Sequence, residues 1–495
     1  MSEPRGSEAA SAAFQDRTDG PDATTDSFDL IVIGAGSGNS IVGPEFDGLR
    51  VAILDDGEWF GGTCLNAGCI PTKMFVHVAD VITDVDQGGP IGVHSRLRRP
   101  EWAEVRDRVF GRIDAISEGG FEYRDQRSPN VTVLRESFGF ESLGDGDRPH
   151  VLVSASGARI SAPQVVVAAG SRPRPLLAAY EPDPRIQDSS SVMRLDELPE
   201  RMLILGGGAV AVEFAHVFSS FGTAVTVAVR GDRLLRALDE DVSRRFTGIA
   251  AERYTVLTGV SAESVDARPD GLRVALSDGT TVETDLLLVA LGRDPNSDTV
   301  AAASVGIDLH EDGRISVDTE QRVLSGGRPV PGLFALGDVS SRWQLKHVAN
   351  HEARLVAHNL LHPGELLSDT LSPVPGAIFA HPQIAHFGLT AAEARDQGLD
   401  VVTVTQEYGS TAFGWALEDD SSACLLVVGL DGALLGAHII GPQASILIQP
   451  LVQAASAGTG IRGLARSQYW PHPAASEVVE NALLSAEEAL RERTT

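Results

Sequence analysis

Apolar positions along this chain fall into short runs that break off at glycine rather than into long stripes of helical period. FDLIVIGAGSGNS carries the first run, and LRVAILDDG follows as a second. Short apolar runs bounded by turn formers predict buried strands, so the two together predict the opening of a βαβ unit. The pattern returns at MLILGGGAVAVEFAHVF followed by AVTVAVR, an internal duplication spaced too widely for a solenoid. Between the copies, VTVLRESFGF predicts a strand and QVVVAAGSRPR reads as the crossing into the second unit. A matching run, LLLVALGRDPN, closes that unit near Asn296, and VPGLFALGDVSS returns the chain to the first. From about residue 366 the texture changes to AIFAHPQIAHFGLT, SACLLVVGL and ALLGAHIIGP, which predict an antiparallel sheet with helices packed on one side.

Length agrees with three domains, since 495 residues at about 150 per domain gives about that number. Residues 1–27 are small, polar and acidic with no apolar stretch, and read as a disordered tail rather than a signal peptide. A net charge of −28 repels phosphate backbones and anionic lipid heads, which disfavours nucleic-acid and membrane-surface roles. No apolar run approaches the ~18 residues of a membrane span. Three cysteines cannot staple a chain this long, so the expected setting is a reducing cytoplasm, and any cysteine pair becomes a candidate for chemistry. Only two lysines occur, Lys73 and Lys346, against a background of arginine. A compact ammonium in such a chain marks a position where its particular chemistry is needed.

In GAGSGN, Gly34, Gly36 and Gly38 follow a strand; Gly34 permits a tight turn, Gly36 lets the backbone approach a pyrophosphate, and the N-terminus of the helix expected next adds a dipole that favours an anion. Asn39 stands where the fingerprint's third glycine is usual. Alone, such a loop is often only a turn. Asp56, at the end of the next strand, is placed to accept ribose hydroxyls and makes it a dinucleotide site. The second loop has Gly206, Gly208 and the small Ala211. Its matching strand end carries Arg230, with Arg236 further on, instead of an acid. Guanidinium forks suit a 2′-phosphate, which favours NADPH over NADH.

The segment GGTCLNAGCIPTK sets Cys64 and Cys69 around four residues, with Pro71 in the first turn of a predicted helix and Cys69 at its mouth. Backbone N–H groups and the dipole there favour a thiolate at Cys69. A metal site would want more ligands, and His77 further along reads as structural, so the pair reads as a redox disulfide. Cys424 in SACLLVV reads as a core residue.

With these motifs in order, the chain resembles the flavin-dependent pyridine-nucleotide disulfide oxidoreductases over residues 28–485. GSGNS, GGTCLNAGCIPTKMFV, EFAHVFS, LGDVSS with LKHVANHEAR, FGWALED and QYWPHPAASEVVENALL carry a closer likeness to one branch, which reduces a low-molecular-weight disulfide. The resemblance implies an α/β fold of two Rossmann-like dinucleotide-binding domains plus an α+β dimerisation domain. Its FAD-binding domain would span 28–171 and 296–365, its NADPH-binding domain 172–295, and its interface domain 366–495.

The resemblance also implies residue roles. Gly62, Thr63, Gly170, Asp338 and the helix beginning near His347 would serve FAD, with Lys73 beside the flavin and paired with Glu213. Gly292 would join the nicotinamide side, and Lys346 would lie near the flavin. His472, supported by Glu477, would complete the cysteine site of the other subunit of a homodimer. Electrons would pass from NADPH through FAD into the Cys64–Cys69 pair, with Cys64 attacking substrate and Cys69 facing the flavin. Ala209 stands where relatives commonly carry an aromatic gate. Dihydrolipoamide dehydrogenase, an NAD-dependent E3 subunit, would call for an acid in place of Arg230. Glutathione reductase, with its dianionic disulfide, remains an alternative, as does a catalytically silent redox-sensing flavoprotein.

Overall fold

Strands of a parallel sheet covered by helices on both faces bury every residue, which is why the runs read as continuous rather than alternating. In the computed structural model, Leu30–Ile33, Val51–Leu54 and Leu286–Val289 are buried at every position. The structure describes residues 25–89, 91–95, 98, 100–176 and 179–494. These form two compact units, 1–71, 108–174 and 293–370 in one and 72–107, 175–292 and 371–495 in the other.

In the first unit a six-stranded sheet runs in the order Arg322–Ser325, Arg328–Ala335, Gln164–Val167, Leu30–Ile33, Val51–Leu54, Val131–Leu134, parallel except at the Arg322–Ser325 edge. Leu30–Ile33 lies inside it, flanked by the strand that follows and by one that arrives much later. Its C-terminal end is therefore a topological switch point, where open α/β sheets hold ligands. A four-stranded sheet (Asp26–Ser27, Arg159–Ala162, His150–Ser154, Phe138–Ser142) and a two-stranded one (Ser171–Pro173 with Arg293–Pro295) belong to the same unit. The VTVLRESFGF segment forms two strands, Val131–Leu134 and Phe138–Ser142, in different sheets.

Two expectations are corrected here. The tail was expected to extend to residue 27, but Asp26 and Ser27 pair in parallel with Ile160 and Ser161. Ser27 and Asp26 also accept Arg50, at 2.6 and 2.9 Å. Residues 1–24 lie outside the described residues. The helix expected after the first glycine loop is a four-residue 3-10 turn, Gly38–Ile41, followed by a second one at Pro44–Phe46. Gly43 and Pro44 interrupt the chain there, proline lacking the N–H that a continuing helix needs.

In the second unit the parallel sheet runs Ile186–Asp188, Leu286–Val289, Arg201–Leu205, Ala224–Val229, Thr255–Thr258, again with the glycine loop leaving an interior strand. Here a true helix follows, Ala209–Ser220. A second, antiparallel sheet of five strands (Gly376–Ile378, Ile384–Gly388, Leu434–Ile440, Ala423–Gly429, Val401–Glu407) packs on the helix Ser476–Thr494 through Leu426, Val428, Val478, Ala482 and Leu490. Cys424 is wholly buried in that core.

Both loops demand glycine at their first position. Gly34 has φ +102°, and a Cβ there would lie 2.3 Å from the Ala168 carbonyl oxygen; at Gly206, φ is +124° and the Ala290 carbonyl oxygen is 2.2 Å away. Gly34→Ala and Gly206→Ala are each expected to lower unfolding stability by about 2 kcal/mol or more, read by urea titration. Equal stability in either variant would mean that the loop relaxes without strain.

Candidate functional site

The first glycine loop is held from several sides within its unit. Asp55, one residue past its strand, accepts the Ala35 N–H at 3.1 Å and the Gly57 N–H at 2.9 Å. Burial raises its pKa, while Gly57, Arg135 and Ala35 pull the other way. Asp56 is exposed and touches Ser137. The loop packs backbone to backbone on GGTC, since a Cβ on Gly62 would come 2.5 Å from the Gly36 Cα. Arg124, from the helix Trp102–Arg127, donates to Asn39 Oδ1 at 2.7 Å, the Asn39 carbonyl at 2.8 Å and the Val42 carbonyl at 2.9 Å. Lys346 opens the helix Lys346–Leu361 and donates to Ser37 Oγ at 2.8 Å; exposed His347 is its second residue.

Asp338 sits in the turn Gly337–Val339 and accepts the Ser171 hydroxyl at 2.6 Å. Ser171 in turn accepts Arg293 Nε at 2.7 Å. Buried Glu352 takes the Gly337 N–H at 2.7 Å, pinning this turn to the helix of Lys346. Gly170 has φ +69° and open space where a Cβ would stand.

Cys64 lies in the short helix Gly62–Asn66, and Cys69 begins the helix Cys69–Asp86. The buried Asn66 amide donates to the Phe60 and Gly62 carbonyls at 3.0 and 3.1 Å, fixing the loop between them. Both sulfurs are thiols. Their mutual hydrogen bond pushes the Cys64 pKa well up, with burial and the Cys69 charge adding to it and Lys346 opposing. Cys64 thus holds its proton, and Cys69 stands as the first residue of its helix, where a dipole favours negative charge. Thr63 is exposed beside them.

One turn beyond Cys69 on the same helix stands Lys73. In the second unit its Nζ meets Glu213 Oε2 at 2.7 Å and lies 4.4 Å from the centre of the Phe379 ring. Glu213 Oε1 accepts the Phe379 N–H at 2.9 Å, so both oxygens are engaged. Glu213 belongs to the helix that Gly208 caps, and a Cβ on Gly208 would meet nothing within 4 Å. Ala209 is the first residue of that helix. Arg230 follows the strand Ala224–Val229 and is exposed, without a carboxylate partner among the described residues. Arg236 is exposed and 3.7 Å from Asp232. Gly292 is exposed with φ +110°.

His472 and Glu477 approach to 3.4 Å, Nδ1 to Oε2. That carboxylate oxygen is buried with no hydrogen bond, whereas the imidazole is 67% exposed, so the ring has a fixed acid behind it and solvent before it. Sequence reasoning missed Asp55, Asn66, Ser171 and Arg124. Asn66 and Asp55 sat inside quoted motifs, next to residues singled out there.

These residues suit the two nucleotides: Gly34 and Gly206 spend their N–H groups on the Leu54 and Ala228 carbonyls, at 2.7 and 2.9 Å, and make the tight turns, open space lies over Gly170 and Gly208, and Arg230, without a carboxylate partner among the described residues, is exposed at the second strand end. Residues 28–353 match the family model described as pyridine nucleotide-disulphide oxidoreductase, and residues 374–483 match that family's dimerisation domain. The chain is 46% identical over 469 residues to mycothione reductase of Mycobacterium tuberculosis, covering 93% of this chain and 99% of the relative. It is 30% identical to dihydrolipoyl dehydrogenase of Chlamydia muridarum (94% and 98% covered) and 30% identical to glutathione reductase of Burkholderia cepacia (87% and 93% covered). Among solved structures, the HOCl-induced flavoprotein disulfide reductase RclA of Escherichia coli shares the fold with a TM-score of 0.79 at 24% identity, covering 92% of this chain and 99% of that one. The chain belongs to the pyridine nucleotide-disulphide oxidoreductases, with that family's dimerisation domain at its C-terminal end.

Proposed function

We propose that this flavoprotein disulfide reductase converts mycothione to mycothiol with NADPH, through a Cys64–Cys69 pair. The observation that carries the reading is the unequal thiol pair, one sulfur at a helix mouth and the other holding the proton. The likeness to mycothione reductase and the segments that carry it support the substrate. The proposed division gives 28–171 and 296–365 to FAD, 172–295 to NADPH and 366–495 to the homodimer interface. A cytoplasmic setting belongs to the same reading.

FAD, when bound, supplies the two-electron relay between nicotinamide and sulfur. Gly36 and Gly38 would bare N–H groups to its pyrophosphate while Gly34, its own N–H on the Leu54 carbonyl at 2.7 Å, makes the turn; Asp56 would accept ribose hydroxyls, and Asp338 would hold the ribityl chain. Gly62, Thr63 and Gly170 would line its path. The helix of His347 would aim its N-terminus at the ring, with Lys346 near it. Lys73, held by Glu213, would stand beside the ring. For the nicotinamide nucleotide, Gly208 would receive the pyrophosphate while Gly206, its N–H on the Ala228 carbonyl at 2.9 Å, makes the turn, Arg230 and Arg236 would receive the 2′-phosphate, and Gly292 would border the ring.

In the thiol steps, His472 takes the proton from Cys64, whose thiolate attacks the substrate disulfide. The proton goes to the departing thiol, and the Cys69 thiolate attacks the Cys64 sulfur of the mixed disulfide, closing Cys64–Cys69 and releasing the second product as a thiolate that takes its proton from water. Because the pair holds the Cys64 pKa up, this sulfur needs a base. Each chain would lend His472 and Glu477 to the cysteines of the other subunit. Arg230 disfavours the dihydrolipoyl dehydrogenase reading, since an acid there would suit a free 2′-hydroxyl.

Turnover of mycothione, glutathione disulfide and lipoamide against NADPH and NADH tests the assignment; glutathione disulfide reduced as fast as mycothione would overturn the substrate. Anaerobic NADPH should reduce the pair and develop long-wavelength absorbance that Cys69→Ser abolishes. In reduced protein, Cys69→Ala should move the pH midpoint for alkylation of Cys64 downward, because the partner that raises its pKa is gone; an unmoved midpoint would contradict the charge split. His472→Gln should slow disulfide turnover about 100-fold or more while NADPH still reduces the pair. Arg230→Ser should raise KM for NADPH about ten-fold and leave that for NADH unchanged.

A further inference from the structure

The two glycine loops are built differently, and the difference leaves a charge to be explained. After the second loop a twelve-residue helix carries its negative carbonyl end about 18 Å from its N–H end. After the first, the four-residue 3-10 turn is only about 8 Å long. A full helix attracts an anion at its N-terminus because the opposing partial charge is far away. In so short a turn the carbonyl end lies close enough to cancel much of that pull. On those carbonyls sits Arg124, bonded to the oxygens of Asn39 and Val42 and to the Asn39 side chain.

We propose that Arg124 is a positioning residue for the pyrophosphate of FAD: its guanidinium masks the carbonyl end of the shortened turn, so that the N–H groups of Gly36 to Gly38 keep their attraction for the anion. No carboxylate pairs with Arg124 among the described residues, and every hydrogen bond it makes is to a neutral oxygen. Its positive charge is therefore undiminished, and it lies in the same unit as the loop. Asn39, standing where the fingerprint has its third glycine, is the handle: its amide oxygen and its carbonyl fix two edges of the guanidinium. Half-burial lowers the arginine's pKa below the usual range, the sign of a cation taken partly out of water without a counter-ion.

The inference rests on FAD occupying the first loop. Purified holoprotein and its variants are compared by FAD content and by the rate of FAD release on dilution. Arg124→Gln should release FAD about ten-fold faster, and Arg124→Lys, which restores charge without the fork, should recover most of that loss. Raising ionic strength should narrow the gap. Release from Arg124→Gln at the unaltered rate, or equal losses in the Lys and Gln variants, would overturn the charge role. Should Arg124→Gln not fold, Asn39→Asp keeps the acceptor while placing a carboxylate on the guanidinium; faster release is expected, and unchanged release overturns the proposal. Unaltered protein that carries no FAD would instead sink the reading of the first loop itself.

Discussion

The hydrogen bond between the Cys64 and Cys69 thiols constrains everything built around it. Two sulfurs close enough to share a proton cannot both ionise readily, so one is driven toward thiol and the other toward thiolate. On the proposed reading the helix beginning at Cys69 decides which, because a helix dipole favours negative charge at its N-terminal end. Asn66 fixes the intervening loop through backbone carbonyls, which keeps the sulfurs in register without using a side chain that would compete for the proton. The division of labour between the cysteines then follows from position. On the proposed reading, the protonated sulfur waits for an external base, and the histidine backed by Glu477 is the exposed group of suitable chemistry.

Lysine scarcity acquires a physical meaning in this frame. Lys73 is held by a carboxylate with both oxygens engaged and by an aromatic face, a geometry that locks one orientation of a flexible side chain. Glu213 must be present for this. Removing it would leave a partly buried ammonium without its partner, and buried pairs broken on one side cost several kcal/mol. Lys346 donates to the Ser37 hydroxyl and has no carboxylate partner among the described residues, and its charge opposes the rise of the Cys64 pKa.

Strands were legible in the sequence because burial on both faces writes itself as unbroken apolar runs, as in LIVI and LLLV. The glycine loops were legible because a positive φ and a carbonyl 2.3 Å from any added Cβ leave no alternative residue at Gly34. Helix length after the first loop was not. The fingerprint's spacing ends where the helix would begin, and the deciding residues, Gly43 and Pro44, lie beyond it. Arg124 was invisible for another reason: it comes from a helix distant in sequence, and its partners are carbonyls, which have no letter. Asp55 and Asp56 are adjacent, and only the folded strand end shows that the first braces the loop while the second faces water. The pairing of Asp26 and Ser27 is too short to leave a pattern.

A chain of net charge −28 that holds two polyanionic nucleotides must separate its overall field from its local one. Many of the described arginines cannot do that, because carboxylates take them up: Arg172 binds Asp298, Arg201 binds Asp285, and Arg245 spans Asp241 and Glu407. A paired guanidinium presents little net charge to a third party, and salt screens what remains. Cations left without an acid act differently. Arg230 at the second strand end, Arg124 behind the first loop and Lys346 beside Ser37 have no carboxylate partner among the described residues. On the proposed reading these three stand beside the glycine loops or the strand ends that serve them, where a bound phosphate would be the partner that no carboxylate supplies.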